Sequence, residues 1–292
     1  MDIETFKQHG LDQAWGDLHP QNYAVNGRSN AEILQVLDTP GDVQYHPCAE
    51  AYPQADVPQG DVVRFKNWDQ STVYAGTRRD LWVYKSNGAS ADQPLNLMVF
   101  NDGPGYLARS GAVRATTVLD NLIHAGELPP TLAVFINPGL PPGVELPAAG
   151  ERPDPLAMQQ RSVEYDSCHD RYLAFLQDEI LPFVTGQLAV QLTNDPARRT
   201  ICGISSGGIC AFNAAWHGPE CFGRVISHCG SFTNIRGAHN YPYLIRSTPR
   251  KAIKVFLQSG ELDADIVTGS WVLANQQTVS YTHLTLPTTV FV

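Results

Sequence analysis

The sequence of 292 residues predicts an α/β protein whose mostly parallel central sheet is covered by helices on both faces. Three observations predict this class: short apolar runs recur along the chain, helical stretches separate them, and a glycine-rich turn joins one run to a helix. A hydrophobic fraction of 43% with 17% charged residues is typical of an ordinary globular core. The repeated order of strand, helix and strand favours parallel pairing.

The individual elements follow from local patterns. The runs 62–65 and 80–84 are rich in β-branched and aromatic residues, and they predict an antiparallel pair of strands. Later apolar runs predict buried parallel strands at 95–100, 131–136, 200–202, 224–228 and 253–257. Helices are predicted at 112–124, 170–184 and 209–216, with a shorter helical piece at 30–37.

Charge and composition argue against several functions. Acidic residues outnumber basic ones by 29 to 20, and no lysine- or arginine-rich run occurs, which argues against a nucleic-acid partner. The first seven residues are acidic and polar, and no apolar run is long enough to cross a membrane. We therefore expect neither a signal peptide nor a membrane segment, and we expect the protein to be cytoplasmic.

The six cysteines contain no C-x-x-C pair and no cysteine and histidine spacing typical of zinc. Most of them lie in or beside predicted core segments. We interpret them as buried free thiols, with disulfides as the alternative, and we expect no metal site.

Residues 203–208, Gly-Ile-Ser-Ser-Gly-Gly, contain a G-x-S-x-G motif between a predicted strand and a predicted helix. α/β-Hydrolases use this turn to present a nucleophilic serine, which makes Ser205 the candidate nucleophile. The backbone N–H of Ser206, at the start of the helix, would point at a developing oxyanion. A glycine- and serine-rich turn without chemistry is the alternative.

A serine nucleophile needs a histidine base and a carboxylate that orients it, in the chain order serine, acid, histidine. The predicted strand 253–257 precedes an acidic loop, in which Asp263 is our choice for the acid, with Asp265 and Glu261 as runners-up. A solvated acidic loop is the alternative.

The loop 101–106 fits the position of a second oxyanion donor. Because Pro104 has no N–H, Gly103 or Gly105 would donate, and we favour Gly103. A tight turn with no further role is the alternative.

Beyond the motif, several segments resemble the enterochelin esterase and “putative esterase” family of α/β-hydrolases. They comprise 203–208, 227–232, 76–84, Asp102 with Gly103, the run 161–166 of sequence Arg-Ser-Val-Glu-Tyr-Asp, and 269–275. The resemblance covers about residues 57–278. It implies a serine ester hydrolase that forms an acyl-enzyme on Ser205, with Asp263 as acid and no cofactor. Its substrate would be a small-molecule or glycan-linked ester.

The same resemblance makes Arg161, Glu164 and Tyr165 candidates for substrate contact or for shaping the pocket, with structural salt bridges for Arg161 and Glu164 as the alternative. His228 and His239 lie in or beside matching segments and would line the site or pack beneath it. An acyltransferase of the same fold and a non-catalytic binding module are the other functions to consider.

The C-terminal segment departs from this pattern. Residues 279–288 look like the translation of a transposon sequencing adapter, and His283 is the only histidine after Asp263, with nine residues following it. We expect 279–292 to be a non-native tail and the catalytic histidine, last strand and last helix of the hydrolase fold to be missing, so that the chain has little activity. Before this tail, the sequence divides into two parts: residues 1–56 form an extension without an assigned role, and residues 57–278 form the incomplete esterase domain.

Overall fold

The computed structural model describes residues 48–89, 93–109, 113–146 and 153–258, together with two short paired strands, β1 (Ala24–Val25) and β2 (Arg28–Ser29). The helix predicted at 30–37 lies outside the described residues, as do Glu261, Asp263, Asp265 and His283.

One seven-stranded sheet organises the described chain, in the spatial order β3-β4-β6-β5-β7-β8-β9. Its strands are β3 (Asp61–Trp68), β4 (Arg79–Lys85), β5 (Asn96–Asn101), β6 (Thr131–Ile136), β7 (Arg199–Ile204), β8 (Arg224–His228) and β9 (Lys254–Gln258). The pairs β3 with β4 and β4 with β6 are antiparallel, and every later pair is parallel. The predicted strands and their mode of pairing are therefore confirmed.

The helices fill the connections between strands. They are α1 (Gly103–Leu107), α2 (Ala115–His124), α3 (Pro155–Tyr165), α4 (Arg171–Ala174), α5 (Leu181–Leu188), α6 (Ser206–His217) and α7 (Tyr241–Ser247). A π-helical segment, Phe175–Ile180, joins α4 to α5 within the helix predicted at 170–184. The apolar pattern did not predict α3, whose start is fixed by Asp154, which accepts a hydrogen bond from Leu156 N–H at 2.7 Å, and by Pro155 in its first turn.

Alternation along the strands gives the sheet two buried faces. On one face, Leu97, Val99, Val134 and Ile201 pack with residues of α3 to α7. On the other, Phe100, Phe135 and Cys202 pack with residues of α1 and α2. Helices therefore cover both faces, as the sequence predicted.

The six cysteines are free, as predicted, but the prediction that they are buried is right only for Cys202, Cys210 and Cys221. Cys168 and Cys229 are half-buried and Cys48 is exposed. Because β5, β7 and β8 run parallel, the loops that follow these three strands leave the same edge of the sheet. This edge carries Ser205.

Candidate active site

Ser205 occupies a strained turn between β7 and α6. Its φ of 56° and ψ of −120° lie in a region that residues with a side chain rarely adopt, and such a conformation costs on the order of 1–3 kcal/mol. Four backbone hydrogen bonds hold it: Ser205 N–H donates to the His228 carbonyl at 2.9 Å, and the Ser205 carbonyl accepts from the N–H groups of Gly208, Ser231 and Ile209 at 3.0, 3.0 and 3.2 Å. The surrounding backbone therefore fixes the direction of the serine side chain.

Gly203 lets the strand and the helix meet this closely. A Cβ atom at Gly203 would lie 2.1 Å from the carbonyl oxygen of Gly207, a distance that no side chain tolerates. The first glycine of the motif is thus required by the close approach of α6 to β7.

The hydroxyl of Ser231 lies beside that of Ser205, with 3.3 Å between the two Oγ atoms. Ser231 is only 1% exposed and follows β8 in the loop that contacts the turn. The sequence placed Ser231 in a segment that resembles the family, but no local pattern predicted its contact with Ser205.

The loop after β5 lies next to this turn because β5 and β7 are neighbouring parallel strands, with Phe100 opposite Cys202. The Asn101 side-chain amide donates to the Gly207 carbonyl at 3.0 Å. Gly103 is buried, and a Cβ atom there would lie 2.5 Å from the carbonyl carbon of Phe135. The structure therefore places Gly103 and Ser206, the two predicted oxyanion donors, at the first positions of α1 and α6, which follow the neighbouring strands β5 and β7 at one edge of the sheet.

Asp102, which precedes Gly103, adopts a left-handed conformation with φ of 55°. Its carboxylate accepts two hydrogen bonds from Arg161, from Nε to Oδ1 at 3.0 Å and from Nη2 to Oδ2 at 2.8 Å. Its backbone N–H donates to the Tyr165 hydroxyl at 3.2 Å. Burial alone would lower the pKa of Arg161, but the hydrogen bonds and charge of Asp102 outweigh it and raise that pKa.

Glu164 faces away from this loop and forms an ion pair with Arg79, in which both side chains are fully buried. Arg79 donates to the two carboxylate oxygens at 2.7 and 3.1 Å, and Gly139 N–H and Gln160 Nε2 donate to Oε1. Burial opposes the charge of Arg79, but Glu164 more than compensates and raises the pKa of the guanidinium.

The burial of Glu164 and Tyr165, each 1% exposed, argues against direct substrate contact by either residue. For Glu164 the structure favours the alternative, a structural salt bridge. Arg161 differs, since its side chain is 31% exposed and lies at the surface of the loop. Within the run 161–166, Glu164 and Tyr165 are therefore buried, whereas the guanidinium of Arg161 remains accessible.

His228 ends β8, but its ring bonds to Gln258, with 2.6 Å between Nδ1 and Oε1. Burial lowers the pKa of His228, although the bond to Gln258 partly opposes this. His239 is exposed in the short 3₁₀ turn Ala238–Asn240. Among the described residues, no histidine donates to or accepts from the Ser205 hydroxyl.

Within residues 48–89, 93–109, 113–146 and 153–258, no group of three histidine, cysteine or acidic residues is placed to hold a metal ion. The described helices include none long and apolar enough to cross a membrane.

A mostly parallel sheet covered on both faces, with a serine in a strained turn between a strand and a helix, defines an α/β-hydrolase fold. Solved structures support this class through their folds. The enterobactin esterase from Shigella flexneri superimposes with a TM-score of 0.58 at 21% identity, over 84% of this chain and 57% of that one. A ferulic acid esterase from Anaeromyces mucronatus gives a TM-score of 0.60 at 12% identity, over 84% and 87% of the two chains.

The chain belongs to the esterase family described as “Putative esterase”, whose sequence profile matches residues 66–284. The match extends past residue 278, where we expect the esterase sequence to end, and it includes His283. Iron(III) enterobactin esterase of Escherichia coli strain K12 is 31% identical over 232 residues, which are 76% of this chain and 49% of that protein. The chain thus spans about half the length of the curated relatives it matches. The resemblance to enterochelin esterases is confirmed.

Proposed function

We propose that this chain is a serine carboxylic-ester hydrolase that forms an acyl-enzyme on Ser205. The observation that carries the proposal is the strained, positive-φ conformation of Ser205 at the junction of β7 and α6, with four backbone hydrogen bonds around it. Backbone strain of this kind concentrates at functional sites. In this chain the strained residue is the serine of the strand-to-helix turn, where α/β-hydrolases expose their nucleophilic hydroxyl.

The proposed reaction has two halves. The Ser205 hydroxyl oxygen attacks the ester carbonyl carbon while a base removes its proton, and the tetrahedral intermediate expels the alcohol, which takes that proton. Water then attacks the acyl-enzyme carbonyl carbon while the base removes one of its protons, and the second tetrahedral intermediate expels the Ser205 oxygen, which takes that proton as the acid is released. The N–H groups of Ser206 and Gly103 stabilise the negative oxygen in both intermediates, so no cofactor is required.

For the acid we propose Asp263, because it follows β9, whose carboxyl end lies two strands from that of β7. We propose that His283 does not serve as the base, since it lies within the adapter-like run, and that the chain consequently has only residual activity. Loss of one triad member leaves roughly 10³- to 10⁴-fold catalysis over water in a serine hydrolase, from the oxyanion donors and substrate binding.

The substrate class follows from the relatives. Because the similar proteins are named iron(III) enterobactin esterase and ferulic acid esterase, we propose a small-molecule ester, a siderophore-type lactone first and a feruloyl or other glycan-linked ester second. Hydrolysis of each class, followed by product analysis with and without an added alcohol, separates a hydrolase from an acyltransferase of the same fold.

The first test measures hydrolysis of p-nitrophenyl butyrate with imidazole supplied as a diffusible base. We expect a protein-dependent rate that rises with imidazole, disappears in Ser205→Ala and persists in the matched control Ser206→Ala, which keeps its backbone N–H. A rate that survives Ser205→Ala would overturn the proposal. Rapid imidazole-independent turnover that His283→Ala abolishes would instead overturn our assignment of the tail.

A further inference from the structure

Two residues of α3, spaced four apart, bind the same loop residue. Arg161 binds the carboxylate of Asp102, and Tyr165 accepts a hydrogen bond from its backbone N–H. Residues four apart lie on one face of a helix, so α3 presents both groups to the loop together. We propose that Arg161 and Tyr165 are positioning residues that hold Asp102 in its left-handed conformation and thereby aim the N–H of Gly103 into the active site. This inference rests on the proposed function.

The conformation of Asp102 matters because its ψ angle sets the plane of the next peptide, and with it the direction of the Gly103 N–H. Asp102 has φ of 55° and ψ of 45°, a region that L-residues other than asparagine and aspartate rarely occupy. On the far side, Gly103 lies against Phe135 and Ile136, where a Cβ atom would approach to 2.5 and 2.7 Å. The loop is thus confined between β6 and α3.

The side of α3 that faces the sheet is itself fixed. Glu164 lies between Arg161 and Tyr165 in sequence and forms the buried ion pair with Arg79 of β4. Gly139 N–H, from the loop after β6, donates to the same carboxylate at 3.1 Å. Tyr165 also donates from its hydroxyl to the Ile136 carbonyl at 3.4 Å. The part of α3 that binds Asp102 is therefore held in place by contacts with β4, with β6 and with the loop after β6.

The Arg161 guanidinium binds Asp102 through two nitrogens and lies over the ring of Tyr165, with 5.4 Å from Cζ to the ring centroid. A contact through two nitrogens defines both the position and the orientation of the Asp102 carboxylate, whereas one lysine ammonium cannot define both. Replacement of Arg161 by lysine should therefore keep the charge and lose the alignment.

The test compares Arg161→Lys with Arg64→Lys, a matched control. Arg64 lies on the distant strand β3 and forms an ion pair with Asp80 of β4, also through Nε and Nη2. Its side chain is similarly exposed. Both variants are assayed for imidazole-supported hydrolysis of p-nitrophenyl butyrate. Misaligning one oxyanion donor costs up to roughly 10²- to 10³-fold in kcat, so we expect at least a tenfold loss in Arg161→Lys with KM changed less than about twofold. We expect Arg64→Lys to change neither constant by more than about twofold.

A second variant separates alignment from folding. Asp102→Gly retains access to positive φ but removes the carboxylate, so we expect a cooperative thermal transition together with a loss of kcat like that of Arg161→Lys. A rise in KM with unchanged kcat would show instead that Arg161 contacts substrate. Equal kcat in Arg161→Lys and Arg64→Lys, with Ser205→Ala inactive, would overturn the inference and leave the proposed function standing. An active Ser205→Ala would overturn the proposed function itself.

Discussion

At the scale of single residues, the proposed chemistry depends on a few residues whose backbone the fold holds in unusual conformations. Ser205 could be found from sequence because its motif is local: glycines two positions either side, a strand before and a helix after. Ser231 could not, because its contact with Ser205 joins residues 26 positions apart and depends on the pairing of β7 with β8. No periodicity along the chain encodes such a contact.

The half-buried ring of His228 makes stability depend on pH. Burial lowers its pKa below the ordinary value, so the unfolded chain takes up a proton more readily than the folded protein. The stabilising effect is complete above a pH of about 6.5, the unfolded pKa, and is lost as the pH falls through the lower folded pKa. We therefore expect His228→Gln to show a smaller fall in Tm between pH 7.5 and 5.5 than the unmodified chain.

Thermal melts followed by circular dichroism at the two pH values measure this difference. His239→Gln, at an exposed position, is the control and should leave the fall unchanged. Part of the fall should remain in His228→Gln, because burial also lowers the pKa of His217. An identical fall in His228→Gln and the unmodified chain would contradict a lowered pKa of His228 in the folded protein.

At the scale of elements, the approach of α6 to β7 decides which glycines can be replaced. Gly203→Ala would place a Cβ atom 2.1 Å from the Gly207 carbonyl oxygen, and overpacking of this kind costs about 1–3 kcal/mol or more. Gly186, exposed within α5, has open space around a Cβ atom, so Gly186→Ala should stabilise the helix by roughly 0.8–1 kcal/mol.

Urea unfolding of the two alanine variants gives the comparison. We expect shifts of opposite sign in the free energy of unfolding, with Gly203→Ala the less stable. Equal stability of Gly203→Ala and the unmodified chain would contradict the tight junction of strand and helix.

The ion pair between Arg79 and Glu164 joins the sheet to α3. Removal of one partner from a buried pair leaves an uncompensated charge and typically costs about 3–5 kcal/mol, whereas replacement of both by apolar residues can be nearly neutral. We therefore expect Arg79→Met to be strongly destabilising and the double variant Arg79→Met, Glu164→Leu to recover part of the loss.

The control for this pair is Arg64→Met, which breaks a more exposed ion pair and should cost under about 1 kcal/mol. Equilibrium unfolding in urea measures all three variants. Equal, small losses in Arg79→Met and Arg64→Met would contradict the buried pair.

At the scale of the whole molecule, the position and direction of the strands followed from the sequence, because apolar runs and intervening helices are strong signals of a parallel sheet. Helix α3 was harder to predict, since its buried positions include Glu164 and its exposed ones include Leu156 and Met158, the reverse of an ordinary amphipathic pattern. The charged residues Glu164 and Arg161 on this helix are paired with Arg79 and Asp102, which are distant in sequence, so the local pattern does not predict them.

The candidate site shows the same division. Ser205, Ser206 and Gly103 are carried by turns with local signatures, and the structure places their loops together at one edge of the sheet. The resemblance singled out Arg161, Glu164 and Tyr165 as a group, but only the fold distinguishes the buried support of Glu164 and Tyr165 from the accessible Arg161. Asp263 and His283 lie outside the described residues and stay predictions.

The most direct test of Ser205 as the nucleophile is to locate the covalent adduct formed with diisopropyl fluorophosphate in the presence of imidazole. Trypsin cleaves after Arg199 and Arg224, so Ser205 and Ser231 fall in different peptides, and fragmentation by mass spectrometry distinguishes Ser205 from Ser206. We predict one adduct, on Ser205, that is absent from Ser205→Ala and retained in Ser206→Ala. An adduct on another residue, or no adduct on Ser205 under these conditions, would contradict a serine esterase mechanism at this site.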